Sequence, residues 1–212
     1  MIFVYMKLRF SLSYRDIEEL SGLQNSDVSI DHSTFQRWVC RFSSIIERQV
    51  RRKKRPVKGS WRMDETYVKV SGKWVYLYRA VDSHGDTIDF LLRTKRDVHA
   101  AVAFFKKSIK HNGMPEKVNI DKSGSNKSAL TTINETIAKP IEIRQNKYLN
   151  NRIEQDHRFI KKRIKPMLGF KSFNSARRTI AGIESVRMIQ KGQIIGQTKS
   201  QFSFQNFVAL MG

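Results

Sequence analysis

The chain has 212 residues, of which 40% are hydrophobic, and its 40 Lys and Arg against 19 Asp and Glu give a formal net charge of +21. This length and apolar content suffice for one well-buried domain with a small appendage, which excludes a disordered polycation. The charge excess predicts a nucleic-acid partner, with a ribosomal-type protein or a merely basic surface as the alternatives.

The single cysteine, Cys40, excludes an intramolecular disulfide and cannot by itself supply the paired thiolates of a zinc finger. We therefore expect a reducing cytoplasm. No segment resembles a membrane span. The apolar residues 1–6 are followed, not preceded, by basic residues, which is not the order of a signal peptide, and they are interpreted as the remainder of a helix.

The first fifty residues predict helices. Ser13 can cap one helix, which Gly22 would end, and Asp31 or Ser33 can cap a second short helix. Apolar residues recur at helical spacing in the second helix: Phe35, Trp38, Val39 and Phe42. We interpret residues 1–47 as a helix-turn-helix-like DNA-binding region, with a simple packing hairpin as the alternative. Polar or basic side chains are its candidate DNA contacts: Gln36, Arg37 and Arg41.

Two connections in this part of the chain are predicted from composition. The connection around residues 23–30 is longer than the turn of a minimal helix-turn-helix. Residues 48–59 hold seven Lys or Arg together with Pro56 and Gly59, so like-charge repulsion and the two helix breakers favour a basic linker over a continued helix. A linker of this charge is also suited to following a phosphate backbone.

From residue 60 the pattern changes to strands. Three runs predict a meander: residues 67–70, 74–81 and 87–92. Ser71-Gly72 supplies the first turn, and Asp82 and Asp86 are expected to form the second. Trp61 and Trp74 are interpreted as core residues in preference to platforms for stacking bases.

Further helices and strands are predicted after this meander. Asp97 should cap a helix that lies on the sheet and ends at Asn112-Gly113. A strand at 117–120 delivers Asp121 at its carboxyl end, where α/β sheets present ligands. Later elements are predicted in chain order: a helix after a loop at 122–126, a strand at 141–143, helices at 150–165 and 172–191, and a tail from 193.

Three acidic residues in three different settings suggest a metal site. Asp64 lies in the first strand, Asp121 ends a later strand, and Glu154 lies in the helix 150–165. Carboxylates are hard oxygen ligands that suit Mg²⁺ or Mn²⁺, and phosphates of a polyanion would complete the metal shells. The hypothesis is metal-dependent phosphodiester chemistry on DNA.

Longer motifs surround these acids: WRMDETY at 61–67, YLYRAVD at 76–82, IDKSG at 120–124, KYLNN at 147–151, EQDHR at 154–158 and PMLGFKSF at 166–173. In this order they resemble a bacterial DDE transposase of the insertion-sequence-six group. The resemblance implies an α/β, ribonuclease-H-like fold with a mixed five-stranded sheet flanked by helices. Residues 60–192 would form the catalytic domain, and 193–212 a C-terminal tail.

The resemblance also implies a chemistry and its partners. Asp64, Asp121 and Glu154 would be the catalytic residues and would bind two Mg²⁺ or Mn²⁺ ions. Water would attack first to free a 3′-hydroxyl, and that hydroxyl would then attack target DNA in the same site. The implied partners are terminal inverted repeats, target DNA and further copies of the chain, at the nucleoid of the bacterial cytoplasm.

Basic residues follow Glu154 on the same predicted helix. Lys161, two turns later, matches the basic residue that such enzymes place after the glutamate to contact DNA. Its basic neighbours are candidates for holding backbone phosphates: Arg158, Lys162, Arg163 and Lys165. For each of these neighbours taken alone, a solvated charge is an equal alternative.

Three residues beside the acids are weighed separately. Glu65 follows Asp64 in a strand and should point to the opposite face, and Asp156 should point away from Glu154. His157 is close enough to Glu154 to support a ligand, yet a structural or DNA-contact role is favoured.

Two alternative functions stay open. One is a stand-alone ribonuclease-H-like nuclease, and the other is an inactive or truncated copy that only binds DNA.

Overall fold

The computed structural model describes residues 1–24, 30–122, 124–146, 151–197 and 203–211. The chain divides into two compact units, Pro56–Phe159 and the combination of Met1–Arg55 with Ile160–Gly212. Several predictions fall outside the described residues: most of the connection at 23–30, part of the loop at 122–126, and most of the KYLNN motif. Within the described part, no helix is long and apolar enough to cross a lipid bilayer.

The unit Pro56–Phe159 is built on a five-stranded sheet in the order β3-β2-β1-β4-β5. Its strands are β1 (Ser60–Val70), β2 (Lys73–Asp82), β3 (Thr87–Arg93), β4 (Lys117–Ile120) and β5 (Glu142–Gln145). Strands β1 to β3 form the predicted antiparallel meander, and β4 and β5 run parallel to β1. The mixed sheet, flanked by helices, confirms the predicted ribonuclease-H-like fold class.

Helices α4 (Val98–Asn112) and α5 (Gly124–Asn134) pack against the sheet. Asp97 caps α4 as predicted, because its carboxylate accepts a hydrogen bond from the amide of Ala100, and Gly113 follows the helix end with a positive φ. The buried core between helices and sheet consists mainly of aromatic and branched side chains: Trp61, Met63, Tyr78, Ile88, Phe104, Phe105, Val118, Ile120, Leu130 and Ile133.

Strand lengths determine where this sheet opens. β1 has 11 residues, whereas its parallel neighbour β4 has four and pairs only with Ser60, Trp61 and Arg62. β1 therefore continues past the end of β4 with one edge unpaired by that neighbour. Asp121 follows β4 at this opening. Residue Asp82, at the end of β2, accepts backbone hydrogen bonds from His84 and Asp86, which confirms its predicted role in the turn.

The second unit is helical. It contains α1 (Ile2–Arg9), α2 (Tyr14–Gln24), α3 (His32–Lys53), α7 (Phe173–Gln190) and α8 (Ser203–Met211), with α3 and α1 packed against α7. Helix α6 (Asn151–Ile164) begins in the sheet unit and ends in this one, followed by a 3-10 turn at Lys165–Met167. The predicted extents of the DNA-binding and catalytic domains remain predictions.

Helix α3 corrects the predicted linker. Residues 48–53, assigned to a basic linker, continue the helix, and only 54–59 leave it, so α3 is not the short helix expected. The apolar stripe through Phe35 and Val39 extends to Ile46 and Val50, all buried, while the basic side chains take other faces. Burial of this stripe outweighs the repulsion between like charges, which an ion pair of Glu47 with Arg51 also reduces.

One helix end differs in detail from expectation, and the C-terminal tail contains a helix. Ser13 caps α2 as predicted, exchanging hydrogen bonds with Asp16, but the helix continues past Gly22 to Gln24. The C-terminal tail contains α8. This helix forms because Phe207 is buried against the Tyr5 ring and the Tyr5 hydroxyl lies 2.6 Å from the Ser203 hydroxyl.

Candidate active site

Strand β1 places two adjacent carboxylates on opposite faces of the sheet. Asp64 is opposite Arg79 on β2, whereas Glu65 is opposite Tyr78, a core residue beneath the helices α4 and α5. Because successive side chains of a strand alternate, Glu65 belongs to the helix-covered face and Asp64 to the other. This arrangement follows the sequence prediction for Glu65.

Asp121 joins both carboxylates at the opening beside β1. One carboxylate oxygen from each of Asp64, Glu65 and Asp121 lies within 4.8 Å of the other two. Side chains from opposite faces can approach here because β4 has already ended, so no neighbouring strand separates Asp121 from the edge of β1. Three carboxylate oxygens at this spacing fit the donor chemistry of a hard divalent cation.

On the Asp64 face, a buried network from β2 and α6 lies beside the carboxylate. The Arg79 guanidinium, 1% exposed, donates through Nη2 to Asp156 Oδ2 at 2.6 Å, and its Nη1 lies 3.3 Å from His157 Nδ1. His157 Nε2 in turn lies 3.2 Å from Asp64 Oδ2. A guanidinium can only donate, so Nδ1 accepts and the proton of a neutral imidazole stays on Nε2, beside Asp64.

On the Glu65 face, one partly exposed cation bridges two carboxylates. Arg96 Nη2 lies 3.3 Å from Glu65 Oε2 and 3.2 Å from Asp121 Oδ2. The side chain of Glu65 is 3% exposed, that of Arg96 is 34% and that of Asp121 is 37%. Burial raises the pKa of the Glu65 carboxyl above its ordinary value, and the charges of Asp121 and Asp64 act in the same direction, while Arg96 opposes them.

The third predicted acid has a different environment. Glu154 is exposed in the first turn of α6, and among the described residues its carboxylate does not join the group at Asp64 and Asp121. Glu65 and Arg96, which do lie there, were not selected from the sequence. The signal that could have indicated them is the difference in length between β1 and β4, because it leaves the β1 edge accessible at residue 65.

The predicted DNA contacts are mostly exposed. On α6 and just after it the exposed members are Arg158, Lys161, Lys162 and Lys165, and on α3 they are Gln36, Arg37 and Arg41. Arg163 differs, because it is buried, with Nε donating to the Arg9 carbonyl at 2.7 Å and Nη1 to the Ser11 hydroxyl at 3.3 Å. We therefore remove Arg163 from the candidate phosphate contacts, since its donors bind the protein itself.

The two tryptophans of the sheet have opposite environments. Trp61 is 1% exposed in the core, which confirms the prediction. Trp74 is 61% exposed, so its predicted core position is wrong. The reason is the extent of the helical cover, because the buried core under α4 and α5 includes Tyr78 and Ala80 of β2 but not the beginning of that strand.

Comparisons with known proteins identify the family. A family model described as a DDE domain matches residues 58–193. Two Staphylococcus aureus proteins are 44% identical over 185 residues, covering 87% of this chain and 80% of theirs. They are the transposase for insertion sequence-like element IS431mec of strain Mu50 and the transposase for insertion sequence element IS257 in transposon Tn4003. The chain belongs to the DDE transposase family of the insertion-sequence-six group.

A solved structure gives a weaker likeness to this member of the DDE transposase family. The HTLV-2 integrase catalytic core domain in complex with magnesium has a TM-score of 0.47 and 16% identity, covering 68% of this chain and 95% of that core. A likeness at this level carries no argument about function. The assignment of the fold rests on strand order, and the assignment of the family rests on sequence.

Proposed function

We propose that this DDE transposase cleaves the ends of an insertion sequence and joins the freed 3′-hydroxyl to target DNA. The observation that supports this function best is the approach of Asp64 and Asp121 at the open edge of β1, inside the region matched by the DDE model. These two acids come from separate elements, 57 positions apart by their numbers (121 − 64), and nothing in a purely structural role requires their like charges to meet.

The donor chemistry of the site fits divalent ions. Asp64 and Asp121 would hold them together with Glu154 of the family motif, and Glu65 adds a further carboxylate within reach. When bound, a pair of Mg²⁺ or Mn²⁺ ions would activate the attacking oxygen and stabilise the leaving oxygen of a phosphodiester displacement. No Ser, Tyr or Cys nucleophile is needed for this chemistry.

The surrounding residues position the acids. His157 presents one ring nitrogen to Asp64 while Arg79 and Asp156 hold the rest of the network, so the Asp64 carboxylate is oriented before DNA arrives. Fixed orientation of a ligand by neighbouring groups lowers the cost of reaching the reactive geometry. Arg96 reduces the repulsion between Glu65 and Asp121.

DNA would be held by exposed basic side chains. Lys161 is proposed to contact DNA near the scissile phosphate, with the other exposed basic residues contacting the backbone: Arg158, Lys162 and Lys165. In the helical unit Gln36, Arg37 and Arg41 are exposed on α3 and are proposed to contact the element ends. We retain residues 1–47 as the proposed DNA-binding region and 60–192 as the proposed catalytic domain, working as an oligomer on paired ends within the bacterial nucleoid.

The test uses DNA taken from the borders of the gene, where short inverted repeats would define the substrate. Purified protein is incubated with Mg²⁺ or Mn²⁺ and a duplex carrying one border, and nicking and strand transfer are measured separately. Asp64→Asn and Asp121→Asn should each lower both activities about 10³-fold, because several kcal/mol of transition-state stabilisation are lost. Glu142→Gln, which removes an exposed carboxylate on β5, is the matched control and should change little.

The outcomes separate the competing functions. Equal activity of Asp64→Asn and the unaltered protein would reject the proposed site. Nicking without strand transfer would identify a nuclease, and salt-dependent DNA binding without either reaction would identify a binding protein. Both results would overturn the proposal.

A further inference from the structure

An exposed aromatic surface lies on the β1–β2 hairpin of the sheet unit. It consists of the exposed rings of Tyr67 and Trp74 with the partly buried ring of Tyr76, which together we call the aromatic platform. Tyr67 is 52% exposed and Trp74 is 61% exposed. The Tyr67 ring centroid lies 6.3 Å from that of Trp74 and 5.3 Å from that of Tyr76. Large exposed aromatic side chains in one patch mark a binding surface more often than scattered apolar residues do.

The rings of the platform meet at steep angles. The planes of Tyr67 and Trp74 are inclined by 80°, and those of Tyr67 and Tyr76 by 54°, so the rings do not stack flat on one another. An edge contact between two rings does not cover both π-faces of each ring, and a π-face is the surface that a planar ligand requires. The platform is therefore suited to flat, unsaturated groups.

Basic residues border the platform. In the sheet register Tyr76 is opposite Arg93, and Trp74 is opposite Lys69, so both cations share the platform's face. Both are exposed, as is Lys95 after β3. Arg93 and Lys95 also line a cavity of about 200 Å³ at the start of α4, together with His99. We call Lys69, Arg93 and Lys95 the basic border.

From this combination we infer that the aromatic platform binds unpaired bases of a DNA strand, with its phosphates on the basic border. Every base has a π-face, so stacking on Tyr or Trp needs no particular sequence, and adjacent cations provide the attraction for the backbone. Bases inside a duplex already stack on their neighbours, so only unpaired or displaced bases can use the platform.

Charge distinguishes this occupant from a second copy of the chain. A patch bordered by Lys69, Arg93 and Lys95 would face another chain with a formal charge of +21, and the like charges would repel. A polyanionic strand has the opposite charge. The mixture of exposed rings and cations therefore favours DNA over self-association.

The platform is also close to the carboxylate site. Tyr67 follows Glu65 by two residues on the same face of β1, and Tyr67 interacts electrostatically with Arg96, which contacts Glu65 and Asp121. Unpaired bases at this position would lie beside the strand that is cleaved. The inference rests on the proposed function, which identifies the nucleic acid as DNA. It adds a step in which the DNA at the site is locally unpaired.

The experiment measures binding without divalent metal, by fluorescence anisotropy, for a labelled single strand of about 15 nucleotides and for a blunt duplex of the same sequence. Trp74→Ala should weaken single-strand binding about tenfold, while duplex binding should change less than about twofold. Trp74→Phe keeps a ring and should retain most of the affinity. Met114→Ala, which truncates an exposed apolar side chain of the same unit, should leave both affinities unchanged.

A direct readout of stacking accompanies these affinities. An oligonucleotide carrying the fluorescent base 2-aminopurine should be quenched on binding the unaltered protein and less quenched by Trp74→Ala. Thermal unfolding of each variant checks the fold, and Tyr67→Ala repeats the test if Trp74→Ala is destabilised. Equal weakening for single strand and duplex, or no weakening, would overturn the inference.

Two further outcomes are distinguishable. A lower molar mass of Trp74→Ala by light scattering, with unchanged single-strand affinity, would assign the platform to self-association and overturn the inference. The proposed function would fail in a different way. The unaltered protein would then bind single strands selectively but would catalyse no strand transfer.

Discussion

The two sides of the carboxylate site are built in opposite ways, although Asp64 and Glu65 are adjacent in sequence. On the Asp64 side, a fully buried Arg79 and a buried His157 form a network from two elements. On the Glu65 side, Arg96 bridges Glu65 and Asp121, and the Arg96 side chain is 34% exposed. The partners of Asp64 belong to the packed interior, whereas Arg96 borders solvent even though the Glu65 side chain is 3% exposed.

This difference has consequences for energy and for mobility. A buried ion pair is costly to desolvate but strongly destabilising to break, because the remaining partner keeps an uncompensated charge. An ion pair whose cation is partly exposed contributes less to stability than a fully buried pair, and the long side chain of that cation exchanges contacts readily. We therefore expect the Asp64 side to orient one carboxylate permanently and the Glu65 side to adjust when ions or DNA bind.

The largest expected effect is a loss of cleavage, and it is compared between variants of the two glutamates, Glu154 and Glu65. Glu154→Gln should abolish metal-dependent cleavage, by about 10³-fold or more, if the family motif assigns the third ligand correctly. Glu65→Gln should lower cleavage about tenfold or less, because Glu65 shapes the site from the opposite face. DNA binding, measured by anisotropy, should be nearly unchanged in both.

The reverse ranking of these two variants would transfer the ligand role to Glu65, which already lies within 4.8 Å of the other two acids. A loss of DNA binding in Glu154→Gln as large as the loss of cleavage would show that Glu154 is structural.

The next effect is on stability. Arg79→Met removes the buried cation and leaves Asp156 charged in the interior, so the free energy of unfolding should fall by about 3–5 kcal/mol. Arg144→Met, which breaks the exposed pair with Glu142 on β5, is the control and should leave the free energy of unfolding nearly unchanged. Urea unfolding monitored by circular dichroism measures both, and similar losses would mean that the Asp64 side is not a special structural support.

The meander strands, their turns and the helix caps could be predicted because they depend on local signals, whereas the pairing of β1 with β4 and the approach of Asp64 to Asp121 were expected only from the family resemblance. Residue alternation, turn formers and helix caps each act over a few residues, and the motifs around the acids are long. The exposure of Trp74 and the bridging by Arg96 could not be predicted in this way. Both depend on where α4 and the end of β4 stop covering β1 and β2, which involves residues distant in sequence.

Helix α3 is a second case in which residues distant in sequence decided the structure. The charge run at 48–59 indicated a linker, and repulsion between those charges is real. The competing term was burial of Ile46 and Val50 against the rest of the helical unit, and that term depends on packing partners such as α7. A local charge pattern in the sequence does not show how much apolar surface the same segment buries against residues distant in sequence.

A smaller effect tests how the Asp64 side works. His157→Gln keeps an amide donor but loses the ring, so cleavage at limiting Mg²⁺ should fall about 10–100-fold, as when a group supporting a metal ligand is removed. A higher metal concentration should recover part of the rate, because orientation of Asp64, not a chemical step, has been impaired. His84→Gln, at the exposed turn before β3, is the matched control. An equal loss at all metal concentrations would contradict a positioning role.

The smallest expected effect concerns the Glu65 side. Arg96 places a positive charge between Glu65 and Asp121, where it competes with an incoming cation for the same oxygens. Arg96→Gln removes that competitor, so Mn²⁺ affinity in the absence of DNA should rise about threefold, in keeping with the modest energy of a partly exposed ion pair. Isothermal titration calorimetry measures this affinity.

Lys110→Gln, an equal charge change at an exposed site on α4, controls for the net charge of the chain. An equal rise of Mn²⁺ affinity in both variants would assign the effect to net charge. A fall of Mn²⁺ affinity in Arg96→Gln alone would mean that Arg96 holds the two carboxylates in place for the metal and does not compete with it.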